Sequence, residues 1–394
     1  MKDLKATTGF MSNLTPSATL AITAKAKAMK AQGLDVCSMC AGEPDFDTPQ
    51  VIKDACIKAL NEGKVTYTPA SGIMELKQVI AKKFAHDNQI QVKPEQIVIA
   101  PGAKFSVFSA IAALCGPGDE VIIGAPYWLS YPEMVRSTGA KLVEIPTKAD
   151  NNYEIDPADL EKAVSDKTKL LILNTPSNPT GAVYRRETLE KIAAVAVKHN
   201  FMVLADEIYE KLVYDADKPH VSIASLNPEI AELTVTVNGF SKTYAMTGWR
   251  LGYLAAPLWL AKKIIAFQSH TTSNPTTFVQ WAGIAALEEA GDDVVKMRQA
   301  FAERRNLICS LVAKIPGVKC IRPQGAFYLL CDVSSFGMKS EEFCTKLLDE
   351  VGLAAIPCAA FGAEGDIRLS YACSNANIES AIDRLARFCA SHSK

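Results

Sequence analysis

The sequence has almost no net charge and no long apolar run. Lysine and arginine total 42 against 43 aspartate and glutamate residues, and no stretch concentrates the basic ones, which argues against a nucleic-acid surface. No apolar segment approaches the roughly 20 residues that a membrane-spanning helix needs. The first twenty residues also lack the apolar core of a signal peptide. We therefore expect a soluble, globular protein of the cytoplasm, or a processed organellar one, with no membrane partner.

The eleven cysteines lack the spacing of a metal site or a disulfide framework. They are odd in number and mostly lie in apolar stretches such as LICS and YLLCDV, which is typical of reduced, buried thiols. Cys37 and Cys40 form a single CxxC, and no second CxxC or nearby histidine pair completes a zinc set. We interpret this pair as core packing, and we predict no metal site.

What the sequence does have is a series of short apolar, β-branched runs separated by helical patterns. Continuous apolar strands alternating with helices predict an α/β fold, a mostly parallel sheet of about seven strands sandwiched by helices. After about residue 260 the pattern turns largely helical and then gives short strands near AFYLLCDV and IRLSYA, which indicates a smaller α+β domain. The predicted strands of the large sheet are 96–100, 120–125, 141–146, 169–174, 201–206, 233–238 and 251–256.

Chemistry is expected just after these strands, because ligands of doubly wound sheets bind at the carboxyl ends of the strands. The segments at those positions supply an anion-binding turn, an aromatic ring, amides, a carboxylate with a phenol, and an amine. They are PGAK (101–104), PYW (126–128), NTPSNPTG (174–181), DEIYE (206–210) and NGFSK (238–242).

Lys242 and Asp206 are the reactive groups of this set. A lysine in a poorly hydrated pocket near a second cation, here Arg250, has a lowered pKa and can form an imine with a carbonyl compound. A carboxylate ending a buried strand needs a cationic or donor partner, and a protonated pyridine nitrogen is one. Taken singly, Lys242 would fit an exposed surface turn and Asp206 a helix N-cap.

Three ordered motifs resemble those of the pyridoxal-phosphate-dependent aminotransferases of fold type I. The lysine motif S-K-x-x-x-M-x-G-x-R is matched by 241–250, and NPTG (178–181) and DEIY (206–209) are similar to the other two signatures. The resemblance runs from about residue 15 to the C-terminus. It implies a large cofactor-binding domain over 46–299, a small domain formed by 15–45 and 300–394, and an N-terminal arm, 1–14.

The resemblance implies the roles of the residues around the cofactor ring. Lys242 forms the imine with pyridoxal 5'-phosphate and shuttles the proton between the substrate and the cofactor, while Asp206 pairs with the pyridine nitrogen. Tyr209 donates to the phenolic oxygen, and Asn178 contacts that oxygen and the substrate carboxylate. Trp128 stacks on the ring and borders the substrate. The catalytic residues are accordingly Lys242, Asp206 and Tyr209.

The same resemblance implies the contacts to the phosphate and to a partner subunit. Gly239 stands where the family often has a serine, so it lacks the hydroxyl for one phosphate hydrogen bond. Tyr67 is similar to the tyrosine that reaches the neighbouring subunit's phosphate, which implies a two-fold homodimer with shared active sites. The remaining cofactor contacts are Gly102, Ala103, Lys104 and Arg250 around the phosphate, and Ser241 beside the reactive lysine.

For the substrate, the resemblance implies an amino acid and a 2-oxo acid, with dicarboxylic ones favoured. Arg368 in DIRLSY matches the arginine that holds the α-carboxylate, assisted by the backbone N–H of Gly42. Lys104 and Thr19 resemble the residues that read a distal carboxylate in aspartate aminotransferases and in the branch that transaminates prephenate. The expected reaction converts L-aspartate and 2-oxoglutarate into oxaloacetate and L-glutamate by a ping-pong mechanism.

Other activities share this scaffold and stay open on the sequence alone. They include aminotransferases for alanine, aromatic amino acids or kynurenine, carbon–sulfur lyases and aminocyclopropane-carboxylate synthases; a cationic Lys104 argues for dicarboxylates over these. A ligand-sensing transcription regulator is a further alternative from another class. Regulators of that kind carry an N-terminal DNA-binding module of about a hundred residues, whereas here the match begins near residue 15.

Overall fold

A computed structural model describes residues 18–215, 217 and 219–393, with the side chains of 18–20 outside the described set. The predicted N-terminal arm, 1–14, and the side chain of Thr19 therefore lie outside the described residues. No described helix is both long and apolar enough to cross a bilayer.

The large sheet has seven strands in the order β2-β8-β7-β6-β5-β3-β4. All neighbouring strands are parallel except at β8, which runs antiparallel to both β2 and β7. Each of the seven predicted strands is confirmed to within one residue at either end. The strands are β2 Ile97–Ala100, β3 Glu120–Ala125, β4 Lys141–Pro146, β5 Thr168–Asn174, β6 Met202–Asp206, β7 Thr234–Gly239 and β8 Gly252–Ala255.

Thirteen α-helices accompany the strands in the described part of the chain. They are α1 Ala18–Ala31, α2 Gln50–Asn61, α3 Met74–Lys83, α4 Ala103–Leu114, α5 Ser130–Ser137, α6 Pro157–Ala163, α7 Arg186–His199, α8 Pro228–Ala231, α9 Leu258–Ser269, α10 Thr277–Glu289, α11 Gly291–Val312, α12 Ser340–Val351 and α13 Asn375–His392.

Helices cover both faces of the large sheet, which explains why its strands are apolar without alternation. In β5, Leu170 and Ile172 pack in the same cluster as α4 and α9, whereas Leu171 and Leu173 pack in the cluster that contains α7. Every residue of β2, β6, β7 and β8 is buried. The prediction of a mostly parallel sheet between helical layers is confirmed.

The smaller α+β unit is built on short strands near the C-terminus. A four-stranded antiparallel sheet has the order β12-β13-β10-β9, and a parallel pair joins β1 to β11. The helices α11 and α13 contact one another beside it. The predicted boundary at residue 299 falls within the uninterrupted helix α11. These strands are β1 Cys37–Ser38, β9 Lys319–Cys320, β10 Tyr328–Asp332, β11 Leu353–Ala354, β12 Ile356–Pro357 and β13 Asp366–Ser370.

All eleven cysteines lie within the described residues and are free thiols, eight of them buried. Cys37 donates to the carbonyl oxygen of Asn377 at 3.5 Å, and burial raises the pKa of Cys40 to about 11. The CxxC therefore packs as separate, protonated thiols, as the sequence predicts.

Candidate active site

A cavity of about 360 Å³ opens at the carboxyl edge of the large sheet. The register places Asn174 at the end of β5 beside Asp206 at the end of β6, and β7 lies next to β6, so the segments after these strands converge. Eleven of the residues singled out from the sequence line this one cavity. They are Gly42, Ala103, Lys104, Trp128, Asn178, Asp206, Tyr209, Ser241, Lys242, Arg250 and Arg368.

Lys242 projects into the cavity from the turn that follows β7. The side chain is half-buried, and its ammonium group donates to the carbonyl oxygen of Gly42. The surrounding protein desolvates the amine and lowers its pKa to about 8; Glu43 opposes this shift, whereas Arg368 and Arg250 add to it. A substantial fraction of this amine is therefore neutral, and nucleophilic, slightly above neutral pH.

Asp206 ends β6 and is 4% exposed. One oxygen accepts from the backbone N–H of Ile208 at 3.2 Å, and the other accepts from the hydroxyl of Tyr131 at 2.8 Å. Burial raises the pKa of Asp206 to about 6, against the opposing effect of the Tyr131 hydrogen bond. The group is mostly ionised at pH 7 and faces the cavity with a defined orientation. The segment after it forms a turn, so Asp206 does not cap a helix.

The amino end of α4 and Arg250 form a cationic corner of the cavity. Gly102 precedes α4 with φ +92°, and a Cβ at this position would collide with the guanidinium of Arg250. Arg250 donates to the carbonyl oxygen of Thr247 at 2.9 Å. Free N–H groups at a helix amino terminus next to a guanidinium provide a binding site for a phosphate-like anion.

Lys104, in the first turn of α4, lines the cavity near Trp128. Its Nζ is 4.9 Å from the centroid of the Trp128 ring. Burial lowers the pKa of Lys104, and the charge of Arg250 contributes to the shift.

Arg368 lies on β13 of the smaller sheet, lines the same cavity and is 3% exposed. It donates to Asn178 Oδ1 at 3.0 Å and to the carbonyl oxygen of Cys40 at 3.2 Å. Its guanidinium carbon lies 4.4 Å from the centroid of the Tyr328 ring. Its Nε is buried and has no hydrogen-bond partner among the described residues.

Tyr131, Tyr328 and Asn174 also line the cavity, although the sequence motifs do not single them out. The hydroxyl of Tyr328 lies 3.0 Å from that of Tyr209, and Asn174 Oδ1 accepts from the backbone N–H of Asn178 at 2.9 Å. Asn174 is recognisable as a polar residue that ends an apolar strand. Tyr131 and Tyr328 carry no such signal, because they are aromatic residues within apolar surroundings.

Tyr67 does not line this cavity and is 89% exposed. Gly102 shapes the cavity from behind through its contact with Arg250. Thr19 lies outside the residues whose side chains are described.

A second polar cluster lies next to Asp206 in sequence. Several of its groups pair with one another, whereas Glu207 Oε1 and His220 Nδ1 have no hydrogen-bond partner among the described residues. Glu207 lies 3.0 Å from His220 Nε2 and accepts from Ser222 at 2.6 Å, while Glu210 forms an ion pair with Lys83. The group formed by Glu207, Glu210 and His220 has metal-like spacing. Lys83 already supplies its cation, and we interpret the cluster as structural.

Comparisons with known proteins agree with the resemblance found in the sequence. An aspartate aminotransferase from Bacillus sp. (strain YM-2) is 48% identical over 393 residues, which cover 98% of this chain and 100% of the relative. A bifunctional aspartate aminotransferase and glutamate/aspartate-prephenate aminotransferase from Petunia hybrida is 44% identical, covering 96% and 81%.

The fold is shared as well. The aspartate aminotransferase from Thermus thermophilus with maleate superposes with a TM-score of 0.94 at 40% identity, covering 98% of this chain and 100% of that structure. The family Aminotransferase class I and II matches residues 35–385. The chain belongs to the class I and II aminotransferases, with the fold type I architecture that its motifs predict.

Proposed function

We propose that this protein is a pyridoxal-phosphate-dependent aspartate aminotransferase that converts L-aspartate and 2-oxoglutarate into oxaloacetate and L-glutamate. The observation that carries the proposal is the charge of the cavity. Four cations, Lys104, Lys242, Arg250 and Arg368, line it with one buried carboxylate, Asp206. Among the described residues none of the four forms an ion pair. Such a cavity suits ligands that carry several negative charges.

The residues present fit pyridoxal phosphate. The cavity volume of about 360 Å³ lies in the range of small-cofactor sites. The corner formed by the amino end of α4 and Arg250 suits a phosphate, because it offers backbone N–H groups and a guanidinium as donors. Gly102 leaves room for that guanidinium, since a Cβ at this position would collide with it. When bound, pyridoxal phosphate supplies an aldehyde for covalent attachment and a ring that withdraws electrons from the reacting carbon.

Within the proposed mechanism, Lys242 provides the amine and later the base. Its Nζ, with a pKa near 8, would accept the proton released from the substrate α-carbon and would carry it between the substrate and the cofactor. Asp206 keeps a negative charge at the wall of the cavity, where a ring nitrogen would hold its proton. Tyr209 is buried and offers its hydroxyl at the same wall.

The remaining cations define the substrate by their positions. Arg368 and Asn178 are joined by a hydrogen bond of 3.0 Å, and together they offer donors for an α-carboxylate. Arg250 is assigned to the phosphate and Lys242 to the aldehyde, which leaves Lys104 for a further anion. A distal carboxylate of the substrate is that anion, and this supports aspartate and glutamate over alanine or aromatic amino acids.

Two structural units contribute to the proposed site. Asp206 ends β6 and Lys242 follows β7, both in the large sheet, whereas Arg368 lies on β13 of the smaller sheet. We propose that 46–299 forms the cofactor-binding domain and that 15–45 with 300–394 forms a substrate domain. Movement of this substrate domain would bring Arg368 onto the carboxylate and exclude water from the cavity.

We also propose a two-fold homodimer. Tyr67 is 89% exposed beside Val65, which is 61% exposed, and Ile57 on α2 is 54% exposed. Exposed apolar side chains within one short stretch of sequence favour coverage by a partner. A second copy would cover Val65 and bring Tyr67 to the neighbouring cavity. Light scattering on the purified protein tests this assembly, and a monomer at micromolar concentration would rule it out.

Initial-rate assays with a panel of amino donors test the activity. With 2-oxoglutarate as acceptor, aspartate should give a higher kcat/KM than alanine, phenylalanine or kynurenine. The aspartate assignment fails if one of these is preferred. Prephenate is a second acceptor to test, because it is also dicarboxylic and would use the same Lys104 contact. The name of the Petunia hybrida relative favours including it.

A further inference from the structure

Tyr131 contacts Asp206, but the proposed mechanism gives Tyr131 no role. It lies in the first turn of α5, and its ring is 1% exposed. Its hydroxyl donates to Asp206 Oδ2 at 2.8 Å. The other oxygen of Asp206 accepts from the backbone N–H of Ile208 at 3.2 Å. The two donors together fix the plane in which this carboxylate faces the cavity.

The same tyrosine touches a second residue of the proposed cofactor site. Its ring meets that of Trp128 edge to face, with centroids 5.2 Å apart and planes at 88°. An aromatic pair of this geometry is favourable beyond the area that it buries. One side chain therefore links Asp206, assigned to the ring nitrogen, with Trp128, assigned to the ring face.

The chemistry of the pair makes Tyr131 the donor. Burial and the neighbouring Asp206 hold the pKa of the Tyr131 phenol well above its ordinary value, so it keeps its proton. Burial raises the pKa of Asp206 to about 6, and the Tyr131 hydroxyl acts against this increase. The hydroxyl thus favours the ionised carboxylate.

We propose that Tyr131 is a positioning residue. Its hydroxyl orients Asp206 toward the nitrogen of the cofactor's pyridine ring, and its edge-to-face contact with Trp128 holds that indole over the same pyridine ring. This inference rests on the proposed function, because it needs a bound pyridine ring. It assigns no proton transfer to Tyr131 itself.

Tyr131→Phe tests the hydroxyl and keeps the ring. Apoprotein is titrated with pyridoxal phosphate and followed by its absorption. The hydrogen bond exists with and without the cofactor, so only its effect on the orientation and ionisation of Asp206 enters the Kd. We expect the Kd to rise about three- to tenfold. We expect kcat for aspartate to fall while its KM changes less than about twofold, since Arg368 and Lys104 are intact. Tyr131→Leu removes the edge contact as well and should weaken binding further.

Tyr184→Phe is the matched control. Tyr184 is also buried, at 6% exposure, and its hydroxyl accepts from the backbone N–H of Ile155 at 3.1 Å. Tyr184 lines a separate cavity of about 20 Å³ on which Tyr131 also borders, and it does not line the main one. Its substitution removes a buried hydroxyl near the site without touching Asp206, so the Kd for pyridoxal phosphate should stay within about twofold.

The outcomes separate the two proposals. A wild-type Kd in Tyr131→Phe, or an equal loss in Tyr184→Phe, would overturn the positioning role while leaving the aminotransferase assignment in place. Wild-type protein that binds no pyridoxal phosphate in this titration would refute the proposed function itself. Circular dichroism and thermal melting of each variant show whether a change in Kd comes from lost folding.

Discussion

Replacing Arg368 by lysine tests the proposed binding site for the substrate α-carboxylate. Arg368 is 3% exposed, its guanidinium carbon lies 4.4 Å from the centroid of the Tyr328 ring, and its buried Nε has no partner among the described residues. A lysine keeps the charge, but it is a point donor that cannot pair with both oxygens of a carboxylate in one plane. It also loses the contact between the guanidinium and the Tyr328 ring.

The expected magnitude follows from the lost hydrogen bond. One hydrogen bond to a charged group contributes about 1.5–3 kcal/mol, and 1.4 kcal/mol corresponds to a factor of ten in Kd. Arg368→Lys should therefore weaken binding of a dicarboxylate such as maleate by about 10- to 150-fold, with a similar rise in KM for aspartate. Affinity for pyridoxal phosphate should change little, because Arg250 and α4 hold the phosphate in the proposed site.

Arg304→Lys is the matched control for this experiment. Arg304 also pairs with a carboxylate through two nitrogens, at 2.6 and 3.0 Å from Asp45, and lies 5.1 Å from the centroid of the Phe46 ring. It does not line the cavity. This variant should lose some thermal stability and keep maleate affinity. The proposed carboxylate contact of Arg368 is refuted if Arg368→Lys binds maleate like wild type, or if Arg304→Lys weakens maleate binding equally.

Three further predictions follow from the same cavity. Lys104→Ala should raise KM for oxaloacetate about tenfold, the effect of one charged hydrogen bond, and KM for pyruvate less than twofold; equal effects would remove Lys104 as the distal contact. Because only the neutral amine reacts and the pKa of Lys242 is lowered to about 8, the rate at which apoprotein captures pyridoxal phosphate should rise with pH and reach half its maximum near pH 8. A rise that continues toward pH 10.5 would contradict that environment. Gly102→Ala should weaken cofactor binding, because the added Cβ collides with Arg250. Gly118→Ala is the control: Gly118 has a similar φ of +96° but open space around it, so this variant should lose stability only. Equal cofactor affinities in the two variants would show that the collision with Arg250 does not affect cofactor binding.

The sequence predicts the large sheet well, because its strands are buried on both faces and therefore appear as uninterrupted apolar runs. The run 201–206 ends at Asp206 in both the prediction and the structure. The parallel register then brings the ends of β5 and β6 side by side. The motifs that follow these two strands can therefore be predicted to line the same cavity.

The contacts that hold the site together are less predictable from sequence. Tyr131 and Tyr328 pack into the cavity walls from α5 and β10, and their hydroxyls meet Asp206 and Tyr209. These pairs depend on three-dimensional packing between residues 75 and 119 positions apart, which no local pattern encodes. The Asn178-Pro179 bond is cis, and its isomer is likewise not evident from the adjacent residues.

Covalent trapping at Lys242 tests the proposed function most directly. Purified protein incubated with pyridoxal phosphate is reduced with borohydride, digested and analysed by mass spectrometry, with Lys242→Ala and the unreduced protein as controls. We expect one stable adduct, on the peptide that contains Lys242, and none in the Lys242→Ala protein. A protein that forms no adduct, or forms it equally on other lysines, would contradict the proposed function.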